Sequence, residues 1–136
     1  MLLGLILPAV LAFAQAGSPG PIKTAVCEVV RHPADFEGKL VQIRATVESG
    51  VDDLPAGLTD EGCGAEIKFF TPDDPHFARL LKSKGFRTLT KEVKRNPVVQ
   101  ATVNGWFKRT ATDPKPEYGL ALESVSDVVV KRPPGN

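Results

Sequence analysis

The strictest alternation of apolar and polar residues runs from Leu40 to Glu48, where Val41, Ile43, Ala45 and Val47 interleave with Gln42, Arg44, Thr46 and Glu48. A period of two places one set on a buried face and predicts a strand. Ala45, small in the middle of the buried row, lets that strand bend sharply. Leu54 to Thr59 reads as a short strand that Pro55 confines to an edge or a bulge. Thr59 to Gly64 forms a turn into a third strand, Ala65 to Phe70, with Ile67 and Phe69 facing in and Lys68 and Phe70 facing out. Pro97 to Lys108 is a long strand with Val99, Ala101, Val103 and Phe107 in one row and Gln100, Thr102, Asn104 and Trp106 in the other. Tyr118 to Lys131 carries Leu120, Leu122, Val125, Val128 and Val130, and the change of phase between Leu122 and Val125 predicts a bulge.

Two stretches carry helical spacing instead. From Thr24 onward, Val26 with Val29 and Val30 form an apolar face; Thr24 is placed to cap the start and Pro33 to end it. A strand is the competing reading there, because valine is β-branched. Residues 34–39 make a turn in which Gly38 is free to take positive φ. Asp74 as N-cap, Pro75 at the first helical position and Phe77, Leu80 and Leu81 at i, i+3 and i+4 predict a second helix, with Gly85 as its terminator. Phe86 to Asn96 is ambiguous, with Leu89 and Val93 available to a short helical turn. Residues 109–117 read as a polar, proline-containing loop, 17–23 as a flexible leader and 132–136 as a solvated polar tail.

The first residues stand apart from this pattern. Leu2 to Ala14 is almost wholly apolar and uncharged, and Ala14-Gln15-Ala16 follows it as a small-x-small site. Residues 1–16 are therefore expected to be a secretory signal peptide cleaved after Ala16. The apolar run, at roughly 13 residues, is short of the ~20 that cross a bilayer. A positive n-region is lacking, and a retained anchor is the competing reading. Cleavage leaves one domain, residues 24–131, with no transmembrane segment. The chain left after cleavage keeps all 17 Lys+Arg and 16 Asp+Glu, a net charge of +1, which argues against a dedicated binder of duplex nucleic acid. In an exported chain the two cysteines, Cys27 and Cys63, read as one disulfide, with two free buried thiols as the alternative. Their spacing is wrong for a redox CxxC pair, and two thiols alone make a poor zinc site.

The element order is helix, three strands, helix, two strands. A mainly β domain with two short helices, one of them between the third and fourth of five strands, fits a five-stranded, OB-like Greek-key barrel. The segment Cys27-Glu28-Val29-Val30, Pro33, Phe36-Glu37-Gly38-Lys39 and Val41 to Val47 resembles the start of small exported bacterial OB-like proteins, in which a proline, an aromatic and Gly-Lys lead into the first strand. The resemblance covers roughly residues 24–48 and the element order. It implies a fold and carries no active site across, and Ala45 stands where such domains often have glycine.

Candidate chemistry is sparse. Asp73, Asp74 and His76 hold metal-ligating atoms, but acids at a helix start are more simply explained by the helix dipole. His32 is placed to cap carbonyls at a helix end. Asp52, Asp53, Asp60 and Glu61 lack EF-hand spacing and read as solvated turn acids. No serine sits in a GxSxG-like elbow. The most asymmetric stretch sets Lys82, Lys84, Arg87, Lys91, Lys94 and Arg95 against a single acid, Glu92, and forms a basic patch suited to polyanions. Mapped on the ligand face of OB domains, Lys68, Phe70, Trp106, Arg109, Lys115 and Tyr118 are the candidate binding residues, beside Asp52, Asp53 and Thr112. Trp106 fits equally under the capping helix. The leading expectation is a non-enzymatic exported module that binds an unidentified protein or envelope component of the periplasm, with no cofactor and no metal. A single-stranded nucleic-acid or polyanion-binding domain is the alternative, and a metal-dependent hydrolase is weaker.

Overall fold

In a computed structural model, which describes residues 20–70, 74–111 and 116–131, the alternating segment forms a strand paired on both sides. Six strands are present: β1 (Ile22–Thr24), β2 (Leu40–Ser49), β3 (Pro55–Asp60), β4 (Ala65–Phe70), β5 (Val99–Ala111) and β6 (Glu117–Val130). The expected signal peptide (1–16), the tail (132–136), Asp73, Thr112 and Lys115 lie outside the described residues.

β2 runs antiparallel to β3 and also antiparallel to β5, with Val41 opposite Gly105, Ile43 opposite Val103 and Ala45 opposite Ala101. β3 pairs antiparallel with β4, β4 pairs parallel with β6, and β6 pairs antiparallel with β5. The ladder that leaves β2 on one side thus returns to it on the other. The inward rows meet inside this ring. Val41, Ile43, Leu58, Ile67, Ala101, Val103, Phe107 and Leu120 are all buried completely, and no described polar or charged residue is buried among them.

The expected bulge in the last strand is present. Asn104 pairs with Ser124 and Gly105 with Leu122, so Glu123 is the extra residue that lets Leu122 and Val125 both face inward. Pro55 also sits where its chemistry demands, opposite Ser49 at a register shift in β2. The strand it opens is not an edge strand, because β3 is paired on both sides.

The helices depart further from expectation. Among the described residues four short helices replace the expected two: α1 (Val26–Arg31), α2 (Pro33–Phe36), α3 (Asp74–Lys82) and α4 (Lys84–Arg95), with a 3-10 turn at Val51–Asp53. Pro33 ends α1 as expected, but its fixed φ then starts α2 at once. Thr24 does not cap α1. It ends β1, whose parallel pairing with Val41–Ile43 takes in the last two residues of the expected leader, Ile22 and Lys23; Ala25 holds the N-cap position. Gly38 adopts φ 73° in the turn before β2, as its lack of a Cβ permits.

Gly85 does not terminate α3. Ser83 does: its N–H donates to the Leu80 carbonyl at 3.0 Å, and its Oγ accepts the Phe86 N–H at 3.4 Å as the cap of α4. Gly85 lies inside α4, pressed on β6. A Cβ there would overlap the Val125 carbonyl oxygen and stand 2.7 Å from its carbon. Gly85→Ala is therefore expected to destabilise the fold by about 1–3 kcal/mol through backbone overpacking, read as a lower urea midpoint. An unchanged midpoint would show that α4 is not held against β6 by this contact. α4 packs on β2, β3, β5 and β6, with Leu89 and Val93 buried beneath it.

Candidate functional site

α4, packed on the sheet, also forms one wall of a cleft. α3 and α4 meet at Ser83, and the cleft opens between them, the start of β3, the end of β4 and the middle of β6, with a volume of about 650 Å³. The strands contribute Leu54 and Pro55 at the start of β3, Phe69 and Phe70 at the end of β4, and Leu122 within β6. α3 contributes Phe77, Leu80 and Leu81. From α4 come Phe86 and Thr90, followed by Arg87, Lys91, Lys94 and Arg95.

Two features of this lining matter chemically. Its apolar surface is incompletely covered: Leu54 is 48% exposed and Leu81 45%, while Phe69, Phe70, Phe77 and Phe86 are only half-buried. Among the described residues its charge is of one sign, with four cations and no carboxylate. The spacing 87, 91, 94, 95 puts those cations along one side of α4, while Leu89 and Val93 face the core. None of the four forms an ion pair with a described carboxylate.

The expected basic patch is thus divided. Arg87, Lys91, Lys94 and Arg95 border the cleft, while Lys82 ends α3 and Lys84 begins α4 without lining it. Lys84, Arg87 and Lys91 also border a second, more polar depression with Thr88.

The residues expected to form a binding face are not gathered into one pocket. Of the described ones only Phe70 enters the cleft, and its ring covers Gly119 so closely that a Cβ there would overlap it. Lys68 points outward, with Nζ 3.9 Å from Glu117 Oε1. Near it, the Glu48 carboxyl is raised above its ordinary pKa, chiefly by the hydrogen bond it shares with Glu66, then by desolvation and the Glu66 charge, against the opposing Lys68 charge. Trp106 is neither in the core nor under a helix. It is 46% exposed on the outer face of β5, where its Nε1 donates to Glu123 Oε2 at 3.3 Å. Phe70 and Trp106 both register with Ala121 and so share one row of that outer face. Arg109 turns to Glu37, whose Oε2 accepts the Arg109 backbone N–H at 3.1 Å and whose Oε1 lies 3.9 Å from Nε. Tyr118 stacks on Phe107, ring centroids 5.9 Å apart, and belongs to the packing of the ring.

Sequence reasoning found the cations but did not place Leu54, Phe77, Leu81, Phe86 and Thr90 beside them. The one available signal was Leu81, a large apolar residue next to Lys82.

Cys27 of α1 and Cys63 of the turn between β3 and β4 form a disulfide, with Cα atoms 5.9 Å apart. Among the described residues no helix is long and apolar enough to cross a membrane, and no group of three or more His, Cys, Asp or Glu is arranged to hold a metal ion. Comparison with protein-family models, with curated proteins and with solved structures finds no match to this chain.

Proposed function

We propose that this chain is an exported, non-enzymatic binding module of OB-like barrel form, and that its ligand seat is the cleft between α3, α4 and the strands. The observation that carries the reading is the cleft itself, an apolar concavity with polar groups on one side only, as small-molecule sites generally are. The barrel assignment draws support from the pairing of β2 with both β3 and β5 and from the helices lying between β4 and β5. Export draws support from the disulfide, which persists in oxidising compartments, and from the apolar run at 2–14. The ligand seat proposed here is displaced from the face that OB domains generally use, because Lys68, Arg109 and Tyr118 are engaged with Glu117, Glu37 and Phe107.

The test is binding of Nile red, a neutral solvatochromic dye, to the chain lacking residues 1–16. A blue-shifted, one-to-one complex is expected, abolished by Leu81→Glu and retained in Trp106→Ala. Failure of the dye to bind, or its loss in Trp106→Ala alone, overturns the cleft as the seat. A polyanion-binding reading competes, because the cations of α4 form a stripe. It expects salt-sensitive binding of single-stranded DNA that survives Leu81→Glu.

A further inference from the structure

We infer that the ligand of this cleft is a single-chain amphipathic anion: one apolar chain ending in a carboxylate or phosphate group. The inference rests on the cleft being the binding seat and goes on to specify what fills it. An uncharged apolar ligand would leave Arg87, Lys91, Lys94 and Arg95 with nothing to do, and a small hydrophilic anion would leave the half-buried Phe69, Phe77 and Phe86 in water. The two halves of the lining are matched by one molecule carrying both properties. A headgroup at the α4 cations meets four positive charges, with no carboxylate among the described lining residues to repel it. The chain then lies against the phenylalanines, Leu80 and Leu122, which come from four different elements and so enclose it from several sides.

Other occupants fit less well. A nucleic-acid strand needs cations spaced along its backbone, whereas the apolar wall here is concave. The outer face of β5 offers the Trp106 ring, but its indole N–H already donates to Glu123, and Trp106 does not line the cleft. A membrane surface would use the most exposed apolar groups, Val51 and Leu54, and has no need of a concavity.

Decanoate, used below its micelle concentration, is the probe, with decanol as the neutral chain and acetate as the headgroup alone. Each is titrated calorimetrically and in competition with bound Nile red. Decanoate is expected to displace the dye at one-to-one stoichiometry, roughly tenfold more tightly than decanol, while acetate does not displace it. Replacing Arg87, Lys91, Lys94 and Arg95 together by glutamine is expected to erase that tenfold preference and leave decanol binding unchanged. Should this variant fail to fold, the salt dependence of the native chain serves instead: decanoate affinity is expected to weaken with added salt and decanol affinity to stay constant. Equal affinity for decanoate and decanol overturns the inference while leaving the cleft as an apolar binding seat. Binding only to anionic phospholipid vesicles, with no monomer bound, or displacement of the dye by single-stranded DNA, overturns it in favour of those partners. Failure of Nile red to bind removes the seat and the inference together.

Discussion

Replacing Cys27 and Cys63 together by serine is expected to lower the stability of the domain by about 4 kcal/mol, the entropy that the bond removes from the unfolded chain when it closes a loop with a sequence separation of 36. Domains of this size are typically stable by about 5–15 kcal/mol, so the loss is a large share of the total. The native contacts around the bond limit the damage. Val26 and Val29 are fully buried, and α1 packs on β3 and β4. The serine variant is thus expected to fold at 25 °C with a clearly reduced urea midpoint, and the reducing agent that lowers the midpoint of the native chain should leave the variant unmoved. A difference below about 1 kcal/mol would mean that the unfolded chain is already confined near Cys27 and Cys63 without the bond. The disulfide sits at the Asp60–Ala65 turn, whereas the cleft is walled by Pro55 and Phe70, the far ends of the same two strands. Nile red binding under native conditions is therefore expected to survive its removal.

What the sequence made legible was whatever a period of two can encode. The buried rows of β2 and β5 are those that the alternation marked, β4 buries Ile67 but leaves Phe69 half-buried, and the phase slip before Val125 is the Glu123 bulge. Cysteine count gave the covalent link. The short strand β1 escaped notice because Ile22–Thr24 is too brief for periodicity, and its pairing with Val41–Ile43 is set by a partner some twenty residues away. α4 was obscured for a different reason. Its apolar face is only Phe86, Leu89 and Val93, and Gly85 at its start carried the signature of a helix end; the glycine instead answers to the backbone of Val125, which no local pattern reveals. The cleft shares this cause. Its cations were conspicuous as a run in the chain, but a run does not show that β3, β4 and α3 deliver Leu54, Phe69 and Phe77 to the same place.

The same distinction between residue type and position separates two neighbours in β5. Phe107→Ala is expected to cost about 3–5 kcal/mol, while Trp106→Ala, which removes a larger ring, is expected to cost less than about 1 kcal/mol. Phe107 is the largest fully buried side chain of the fold. Its ring stacks on Tyr118, and its backbone is tied twice to the turn before β2, the N–H donating to the Lys39 carbonyl at 3.0 Å and the carbonyl accepting the Gly38 N–H at 2.9 Å. Because those bonds fix the strand against the turn before β2, the surroundings cannot easily collapse into the space that the ring leaves, and the cavity penalty adds to the lost transfer energy. Trp106 points the other way, half in water, with one hydrogen bond to an exposed carboxylate. Urea denaturation of the two variants beside the native chain measures the difference directly. Equal costs for the two would mean that the phase of β5 is shifted by one residue, which would put Trp106 inside the ring and take with it the alignment that sets β5 against β2.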